Sequence, residues 1–193
     1  MQDRIVAIGS STGGPTALHQ VLQKVNKDFQ TPILVVQHLP SNFTNLLANR
    51  LNGIGNLRVK EAEHGEEVNR STVYIAPGDF HMLVKSRNNK LMIHLTKEKH
   101  RLGHRPSVNM LFDSIAELKH IKKTIVIMTG MGKDGAEGII RIKENDENAV
   151  IIAESSETAV VNGMPSAAIA TNHVTEIVRL ERIGEAIMKY SKR

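Results

Sequence analysis

The sequence has 193 residues, of which 40% are apolar and 23% are charged, and its net charge is +5 with the histidines neutral. This length and composition fit one globular domain and exclude an intrinsically disordered chain. The absence of cysteine excludes disulfides, thiolate catalysis and cysteine-ligated zinc. Because only 3% of the residues are aromatic and none is tryptophan, stacking on nucleic-acid bases is disfavoured.

Location and partners follow from where charged and apolar residues lie. The first residues, Met-Gln-Asp-Arg, do not form a signal peptide, and no apolar run approaches the roughly 18 residues that a membrane span needs. We therefore expect a cytoplasmic protein with no membrane insertion, and a monomer. Many of the cations lie in mixed-sign stretches such as Lys97-Glu98-Lys99, so we expect no nucleic-acid partner.

Strands and helices alternate along most of the chain. In chain order, strands are predicted over residues 4–9, 33–36, 57–60 and 72–76, within 82–95, and over 124–128, 149–153 and 174–178. Helices are predicted after Pro15, from Ser41 (with Leu46, Leu47 and Leu51 on the inner face), after Pro106, after Gly135, around Gly163, and from about residue 181. This alternation predicts an α/β fold, a doubly wound and mainly parallel sheet with helices on both faces.

The middle of the chain departs from this alternation. Residues 57–60, 72–76 and 82–95 alternate apolar and polar side chains, and Asn88-Asn89 lies between two such arms. Asparagine favours the tight turns of hairpins. We therefore predict that this region is an antiparallel hairpin excursion from the main sheet.

The loop after the first strand carries the first candidate for catalysis. Its sequence, Gly9-Ser10-Ser11-Thr12-Gly13, fits the pattern G-x-S-x-G with Ser11 at the serine position. The glycines let the chain turn sharply, and the amide of Thr12 would lie at a helix N-terminus, where it can stabilise an oxyanion. Ser10 is the weaker candidate because it breaks the glycine spacing. Alone, the loop would also suit a tight turn or a phosphate cradle.

Two further strand ends could complete a catalytic site. His38 directly follows the second strand, and Asp134 lies in a glycine-flanked loop after strand 124–128. Taken singly, the histidine could be structural and the aspartate could cap the next helix. Parallel strands end at one edge of a sheet, however, so Ser11, His38 and Asp134 would converge there as nucleophile, base and orienting carboxylate. Together they predict a serine hydrolase that cleaves an ester or amide.

Nucleotide binding is the nearest rival interpretation. The first loop is not G-x-G-x-x-G and lacks the Gly-Lys-Ser/Thr ending of a P-loop. The second strand ends in Gln37-His38, where a dinucleotide site would have an acidic residue for the ribose. A nucleotide- or phosphate-binding domain and a catalytically silent interaction module remain the alternatives from other classes.

The sequence also resembles a known family, the catalytic domain of the bacterial chemotaxis protein-glutamate methylesterase, CheB. The motifs that carry the resemblance follow one another in the family's order and extend over nearly the whole chain. They are IGSSTGG (8–14), VVQHLP (35–40) with Phe43-Thr44, YIAPGDFHM (74–82), HRPSVN (104–109), MTGMGKDGAEG (128–138) and VVNGMP (160–165).

The resemblance implies a definite activity. The enzyme would hydrolyse γ-glutamyl methyl esters on the cytoplasmic helices of a methyl-accepting chemotaxis receptor, releasing methanol, and would deamidate certain receptor glutamines. The family's nucleophile, histidine and aspartate fall on Ser11, His38 and Asp134, and no metal or organic cofactor is implied. Our candidates for the oxyanion hole are the backbone amides of Thr12, Met131 and Gly132. A serine esterase or amidase with a different protein substrate remains an alternative.

Four features depart from the family's pattern. The usual member carries an N-terminal receiver domain. For this chain, by contrast, we expect a single methylesterase catalytic domain over residues 1–193 with no receiver domain present. Asn109 stands where the family generally has Asp, and Glu154-Ser155-Ser156 where Gln-Asp-Glu is more usual. Asn162 stands where a larger side chain is common. We expect these loops to border the substrate groove.

Overall fold

The computed structural model describes residues 3–53 and 57–191. In these ranges the strands are β1 (Arg4–Ser10), β2 (Ile33–Gln37), β3 (Arg58–Glu61), β4 (Thr72–Ile75), β5 (His81–Arg87), β6 (Lys90–Thr96), β7 (Lys122–Ile127), β8 (Val150–Glu154) and β9 (Glu176–Val178). The helices are α1 (Gly14–Lys24), α2 (Ser41–Asn52), α3 (Val108–Ala116), α4 (Ala136–Asn145), α5 (Gly163–Ile169) and α6 (Leu180–Ser191).

One seven-stranded sheet organises the molecule, in the order β3-β4-β2-β1-β7-β8-β9. Its neighbouring strands all run parallel. The central strand β1 is buried on both faces, with side chains from Ile5 to Ile8 at most 1% exposed. This burial explains why its sequence is an unbroken apolar run. From β1 the chain builds one side of the sheet through β2, β3 and β4, and then the other side from β7 onwards. The carboxyl end of β1 is therefore the topological switch point, where sheets of this kind bind ligands.

Helices cover both faces of the sheet. Helices α1, α2 and α6 pack on one face, through side chains such as Leu18, Leu47 and Ile187. Helices α3, α4 and α5 and the β5–β6 hairpin pack on the other, through side chains such as Phe112 and Ile139. Within the described ranges, no helix has the length and apolar character that crossing a membrane would require.

The predicted doubly wound sheet is confirmed, and so is the hairpin, whose strands β5 and β6 pair antiparallel on either side of Asn88-Asn89. The assignment of residues 57–60 and 72–76 to the antiparallel region is wrong, because β3 and β4 pair in parallel and extend the main sheet. Strand β3 lies at the sheet edge, where one face is only partly covered. Its alternation reflects that edge position and not an antiparallel partner.

One predicted inner-face residue of α2 is also wrong. Leu47 and Leu51 are 6% and 2% exposed, but Leu46 is 62% exposed. Adjacent residues of an α-helix point about 100° apart, so Leu46 cannot share the inner face that Leu47 and Leu51 occupy.

The packing of α3 on β1 leaves no room for a side chain at Gly9. A Cβ atom there would lie 2.5 Å from Val108 Cγ1 and 3.2 Å from Ile127 Cδ1. Val108 is fully buried and its branched side chain has little rotamer freedom. We therefore expect Gly9→Ala to lower the free energy of unfolding by about 1–3 kcal/mol, measured by urea denaturation.

Gly53→Ala is the matched control for this experiment. Gly53 ends α2 with a helical φ of −77°, and the nearest atom to its Cβ would be the Arg50 carbonyl oxygen at 3.7 Å. We expect this variant to change the free energy of unfolding by less than about 1 kcal/mol. Equal stabilities of the two variants would contradict the close approach of α3 to β1.

Candidate active site

The structure brings the ends of three neighbouring strands together at the switch point. Ser11 directly follows β1, His38 directly follows β2, and Asp134 lies in the loop between β7 and α4. The sheet order places β1 between β2 and β7. The backbone N–H of His38 donates to the Ser10 carbonyl oxygen at 3.1 Å. This bond continues the β1–β2 pairing as far as residues 11–13, the loop of the candidate nucleophile, which we call the nucleophile loop.

His38 contacts Asp134 directly. The imidazole Nε2 lies 2.8 Å from Asp134 Oδ2. Since Asp134 is an acceptor on this bond, Nε2 carries the proton and Nδ1 presents a lone pair in the neutral ring. This Nδ1 atom is buried and has no hydrogen-bond partner among residues 3–53 and 57–191. The ring is thus oriented by a carboxylate and retains one unused basic nitrogen.

Asp134 is a fully engaged buried carboxylate, 2% exposed. Besides the His38 contact, Oδ2 accepts the N–H of Val108 at 2.7 Å, and Oδ1 accepts the Ser107 hydroxyl and the N–H of Asn109, both at 2.9 Å. Burial alone would raise the pKa of Asp134, but the hydrogen bonds from His38, Asn109 and Val108 outweigh it and lower the pKa below its ordinary value. Asp134 is therefore held as the carboxylate that a histidine base requires.

Asp134 does cap a helix, but that helix is α3 and not the next helix in the sequence, α4. The carboxylate accepts the first N–H groups of α3 and not those of α4, the helix that follows it in sequence. The first N–H groups of α4 are bound instead by Asn109 of α3, whose Oδ1 accepts from Gly135 at 3.0 Å and from Gly138 at 2.8 Å. Each helix thus caps the other, and this exchange fixes Asp134 beneath His38.

The nucleophile loop is held by Gln37, the last residue of β2. Gln37 Oε1 accepts the Ser10 hydroxyl at 2.7 Å, and Nε2 donates to the Ser11 carbonyl oxygen at 2.8 Å. A Cβ at Gly14 would lie 1.8 Å from Gln37 Oε1, so only glycine allows this contact. Ser10 is fully buried and its hydroxyl is used in this bond, which agrees with the choice of Ser11 as the candidate nucleophile.

Ser11 and His38 follow adjacent strands, but their side chains are not hydrogen-bonded. Because Nδ1 of His38 has no partner in the described part of the chain, the Ser11 hydroxyl does not donate to it in this structure. Catalytic hydrogen bonds are often long in the absence of substrate and tighten in the complex. The transfer of a proton from Ser11 to His38 therefore stays a prediction.

The amides considered for an oxyanion hole lie in the loop of Ser11 and in the neighbouring β7–α4 loop. The Thr12 amide follows the nucleophile, and Ser11 itself donates its N–H to the Thr129 carbonyl oxygen at 2.9 Å, which brings the β7–α4 loop alongside. Within the described ranges, the amides of Thr12, Met131 and Gly132 donate to no other backbone carbonyl. They are therefore available to an anionic oxygen.

A second histidine, His104, packs against the ring of His38. The rings of His104 and His38 are stacked, with centroids 3.7 Å apart and an interplanar angle of 7°. Burial, together with the nearby His38, lowers the pKa of His104. A neutral His104 can pack against His38 without opposing the positive charge that His38 gains as a base.

Sequence reasoning on loops alone missed His104, Ser107 and Asn109, which lie together in the motif HRPSVN before α3. That motif was recognised only through family resemblance, and its contact with Asp134 is made across the fold. Asn162 is exposed and pairs with Gly130, and a substrate groove bordered by its loop stays a prediction. The side chains of Asn109 and Glu154, by contrast, are fully buried. Among the described residues, no cluster of three or more His, Asp or Glu side chains is arranged to hold a metal ion.

Comparisons with known proteins agree with this architecture. The family model for CheB methylesterase matches residues 6–187. A protein-glutamate methylesterase/protein-glutamine glutaminase of Halalkalibacterium halodurans is 50% identical over 189 residues, which cover 98% of this chain and 54% of that protein. A relative of the same name from Oceanobacillus iheyensis is 47% identical over 185 residues, which cover 96% and 53% of the two chains.

A solved structure gives the same result at the level of the fold. The crystal structure of the Thermotoga maritima CheB methylesterase catalytic domain matches with a TM-score of 0.94 at 43% identity, over 98% of this chain and 99% of that chain. The chain spans about half the length of the curated relatives it matches. The similarity to the solved catalytic domain, by contrast, extends over nearly all of both chains.

The environment of Asp134 predicts a pH-dependent contribution to stability. Its pKa is lowered by folding, so the carboxylate stabilises the native state above its unfolded pKa of about 3.9, and this stabilisation is lost as the pH falls through the folded value. We expect Asp134→Asn to lower the free energy of unfolding at pH 7 by roughly 2–4 kcal/mol, because the amide cannot accept all four hydrogen bonds. Urea denaturation between pH 7 and pH 3 should show this difference shrinking at the acid end.

Asp28→Asn provides the control, since Asp28 is an exposed residue in the loop after α1. We expect the free energies of unfolding of this variant and the wild type to stay within about 0.5 kcal/mol of each other over the same range. If the deficit of Asp134→Asn were the same at every pH, the carboxylate charge would have no part in stabilising the fold.

Proposed function

The chain belongs to the CheB methylesterase family, and on that premise we propose that it is a serine hydrolase that demethylates γ-glutamyl methyl esters of a chemoreceptor. Its curated relatives are named protein-glutamate methylesterase/protein-glutamine glutaminase. We extend the second activity to this chain as well, as hydrolysis of receptor glutamine side chains to glutamate. Ester and amide cleavage need the same groups and differ only in the leaving group.

One observation carries the proposal. The buried pair formed by His38 Nε2 and Asp134 Oδ2, at 2.8 Å, leaves the Nδ1 lone pair of His38 at the end of the strand next to Ser11. A serine hydroxyl is a weak nucleophile near neutral pH unless a base removes its proton. We propose that the oriented Nδ1 of His38, at the end of the neighbouring strand, is that base.

In the first half of the reaction, Ser11 Oγ attacks the ester carbonyl carbon while its proton passes to His38 Nδ1. The tetrahedral intermediate carries the negative charge on the former carbonyl oxygen, within reach of the free amides of Thr12, Met131 and Gly132. As the carbon–oxygen bond to the methoxy group breaks, His38 returns the proton and methanol leaves. The product of this half is a glutamyl ester of Ser11.

In the second half, water replaces methanol. His38 Nδ1 takes a proton from the attacking water and then gives it to Ser11 Oγ, which leaves as the hydroxyl. The receptor glutamate is released as a free carboxylate. Asp134 keeps its negative charge throughout and stabilises the imidazolium that forms twice in the cycle. For a glutamine side chain, the same steps release ammonia in place of methanol.

The rim of the site suits a protein substrate. Met131 and Val160, in the two loops that flank Ser11, are large apolar residues that are 68% and 73% exposed. An exposed apolar rim is typical of a surface that contacts another protein. We therefore propose a helical segment of a methyl-accepting receptor as the substrate, and a cytoplasmic location in which the enzyme meets it as a monomer.

Replacement of the nucleophile tests the proposal directly. We expect Ser11→Ala to reduce methanol release from methylated receptor membranes by roughly 10⁴–10⁶, the loss typical of a catalytic serine. The same variant should no longer be labelled by a fluorophosphonate, which reacts with an activated serine. Circular dichroism would establish that the variant is folded.

Ser166→Ala is the matched control, because Ser166 is exposed on α5 and its hydroxyl is outside the site. We expect it to keep the methanol release and the labelling of the wild type. A folded Ser11→Ala protein with most of the wild-type activity would overturn the mechanism. Labelling of the wild type without methanol release would instead indicate a serine esterase or amidase with another substrate.

A further inference from the structure

A second buried carboxyl group lies near the site, and the mechanism above does not use it. Glu154 is the last residue of β8 and is fully buried. Its Oε2 accepts the N–H of Thr129 at 2.8 Å, and its Oε1 lies 3.1 Å from the Thr158 hydroxyl. Burial without a compensating cation is costly for a carboxylate, so this residue requires a physical explanation.

Thr129 connects Glu154 to the nucleophile loop. The Thr129 carbonyl oxygen accepts the N–H of Ser11 at 2.9 Å, and the Thr129 hydroxyl donates to the Thr12 carbonyl oxygen at 2.9 Å. The same hydroxyl accepts the N–H of Val161 at 3.0 Å. Thr129, in the β7–α4 loop, thus binds the loop of Ser11 and the β8–α5 loop, and Glu154 is the acceptor that holds its N–H.

Within the described ranges no cation forms an ion pair with Glu154, and no charged group, including those of α6, is among the causes of the shift in its pKa. Arg179, which follows β9, pairs with Glu157 and Glu181 at the surface. Helix α5, which packs against β8, contains no ionisable side chain. Burial raises the pKa of Glu154, and the hydrogen bonds from Thr129 and Thr158 only partly oppose this rise.

Both protonation states of Glu154 can be fully hydrogen-bonded. When ionised, it accepts from the Thr129 N–H and from the Thr158 hydroxyl. When neutral, a proton on Oε1 can be donated to Thr158 Oγ1, because that hydroxyl can turn its own proton to the Ser155 carbonyl oxygen at 3.3 Å. The contact with Thr129 is kept in either state, and only the charge differs.

We propose that Glu154 is a positioning residue that holds Thr129, and through it the backbone of Ser11, and that the enzyme works faster when Glu154 is neutral than when it is ionised. The inference rests on the proposed function. The negative charge of an ionised Glu154 would oppose the oxyanion that forms beside Ser11 in the low-dielectric interior. The neutral acid keeps the same hydrogen bond to Thr129 without that repulsion.

Glu154→Gln tests the inference, because glutamine reproduces the neutral acid. Its carbonyl oxygen can accept from Thr129 and its amide can donate to Thr158, at every pH. We expect the ratio of kcat/KM, variant over wild type, to be lowest at pH 5, where the largest fraction of wild-type Glu154 is protonated. It should rise severalfold towards pH 9, because the ionised fraction of wild-type Glu154 grows with pH and its charge repels the oxyanion.

Two further variants separate positioning and charge from general effects. Glu154→Ala removes the acceptor for the buried Thr129 N–H, so we expect kcat to fall by about tenfold or more at every pH while Glu154→Gln remains active. Glu157→Gln makes the same chemical change at an exposed residue of the loop that follows β8. We expect its ratio to the wild type to stay constant with pH.

The assay is methanol release from methylated receptor membranes, with the rate of fluorophosphonate labelling of each protein measured in parallel. A ratio for Glu154→Gln that does not change between pH 5 and pH 9, or an Ala variant as active as the Gln variant, would overturn the inference while leaving the proposed function intact. A wild type that neither releases methanol nor is labelled would instead overturn the proposed function, and this inference with it.

Discussion

The hydrogen bonds that converge on Asp134 are the constraint on which the site depends. One carboxylate accepts from His38, from the Ser107 hydroxyl and from two backbone N–H groups of α3. It therefore fixes the imidazole and the start of a core helix together. Because α3 packs on β1 at Gly9, the strand that delivers Ser11 is positioned by the same helix. Stability and the proposed chemistry depend here on a single buried charge.

The fold could be predicted from the sequence because its signals are local. Apolar runs such as residues 33–36 and helix starts such as Ser41 need no knowledge of the rest of the chain. The errors arose where a local pattern has two physical causes. The residues of β3 alternate between apolar and polar because it is an edge strand. Leu46 belongs to an apolar run in the sequence of α2, but it lies on the outer face of that helix. Only the tertiary arrangement distinguishes these cases.

Only part of the candidate site could be predicted from the sequence. Ser11, His38 and Asp134 could be chosen because each follows a predicted strand, and parallel strands end at one edge. The residues that hold them could not, since the contacts of Asn109 with α4 and of His104 with His38 join segments that no sequence pattern relates. The two buried carboxyl groups show the same limit. Sequence does not reveal that donors surround Asp134 and lower its pKa, whereas burial raises that of Glu154.

Strand order also explains which nitrogen of His38 meets which partner. In the familiar serine protease arrangement, Nε2 faces the serine and Nδ1 the aspartate. Here the aspartate lies in the loop after β7, two strands away from β2, and the serine directly follows β1 between them. Adjacent strands are about 4.8 Å apart, so the ring must extend across the end of β1, and its distal nitrogen Nε2 is the one that reaches Asp134. The proximal Nδ1 is left for the strand in between, where Ser11 lies, so the reversed orientation of the ring is a consequence of the order β2-β1-β7.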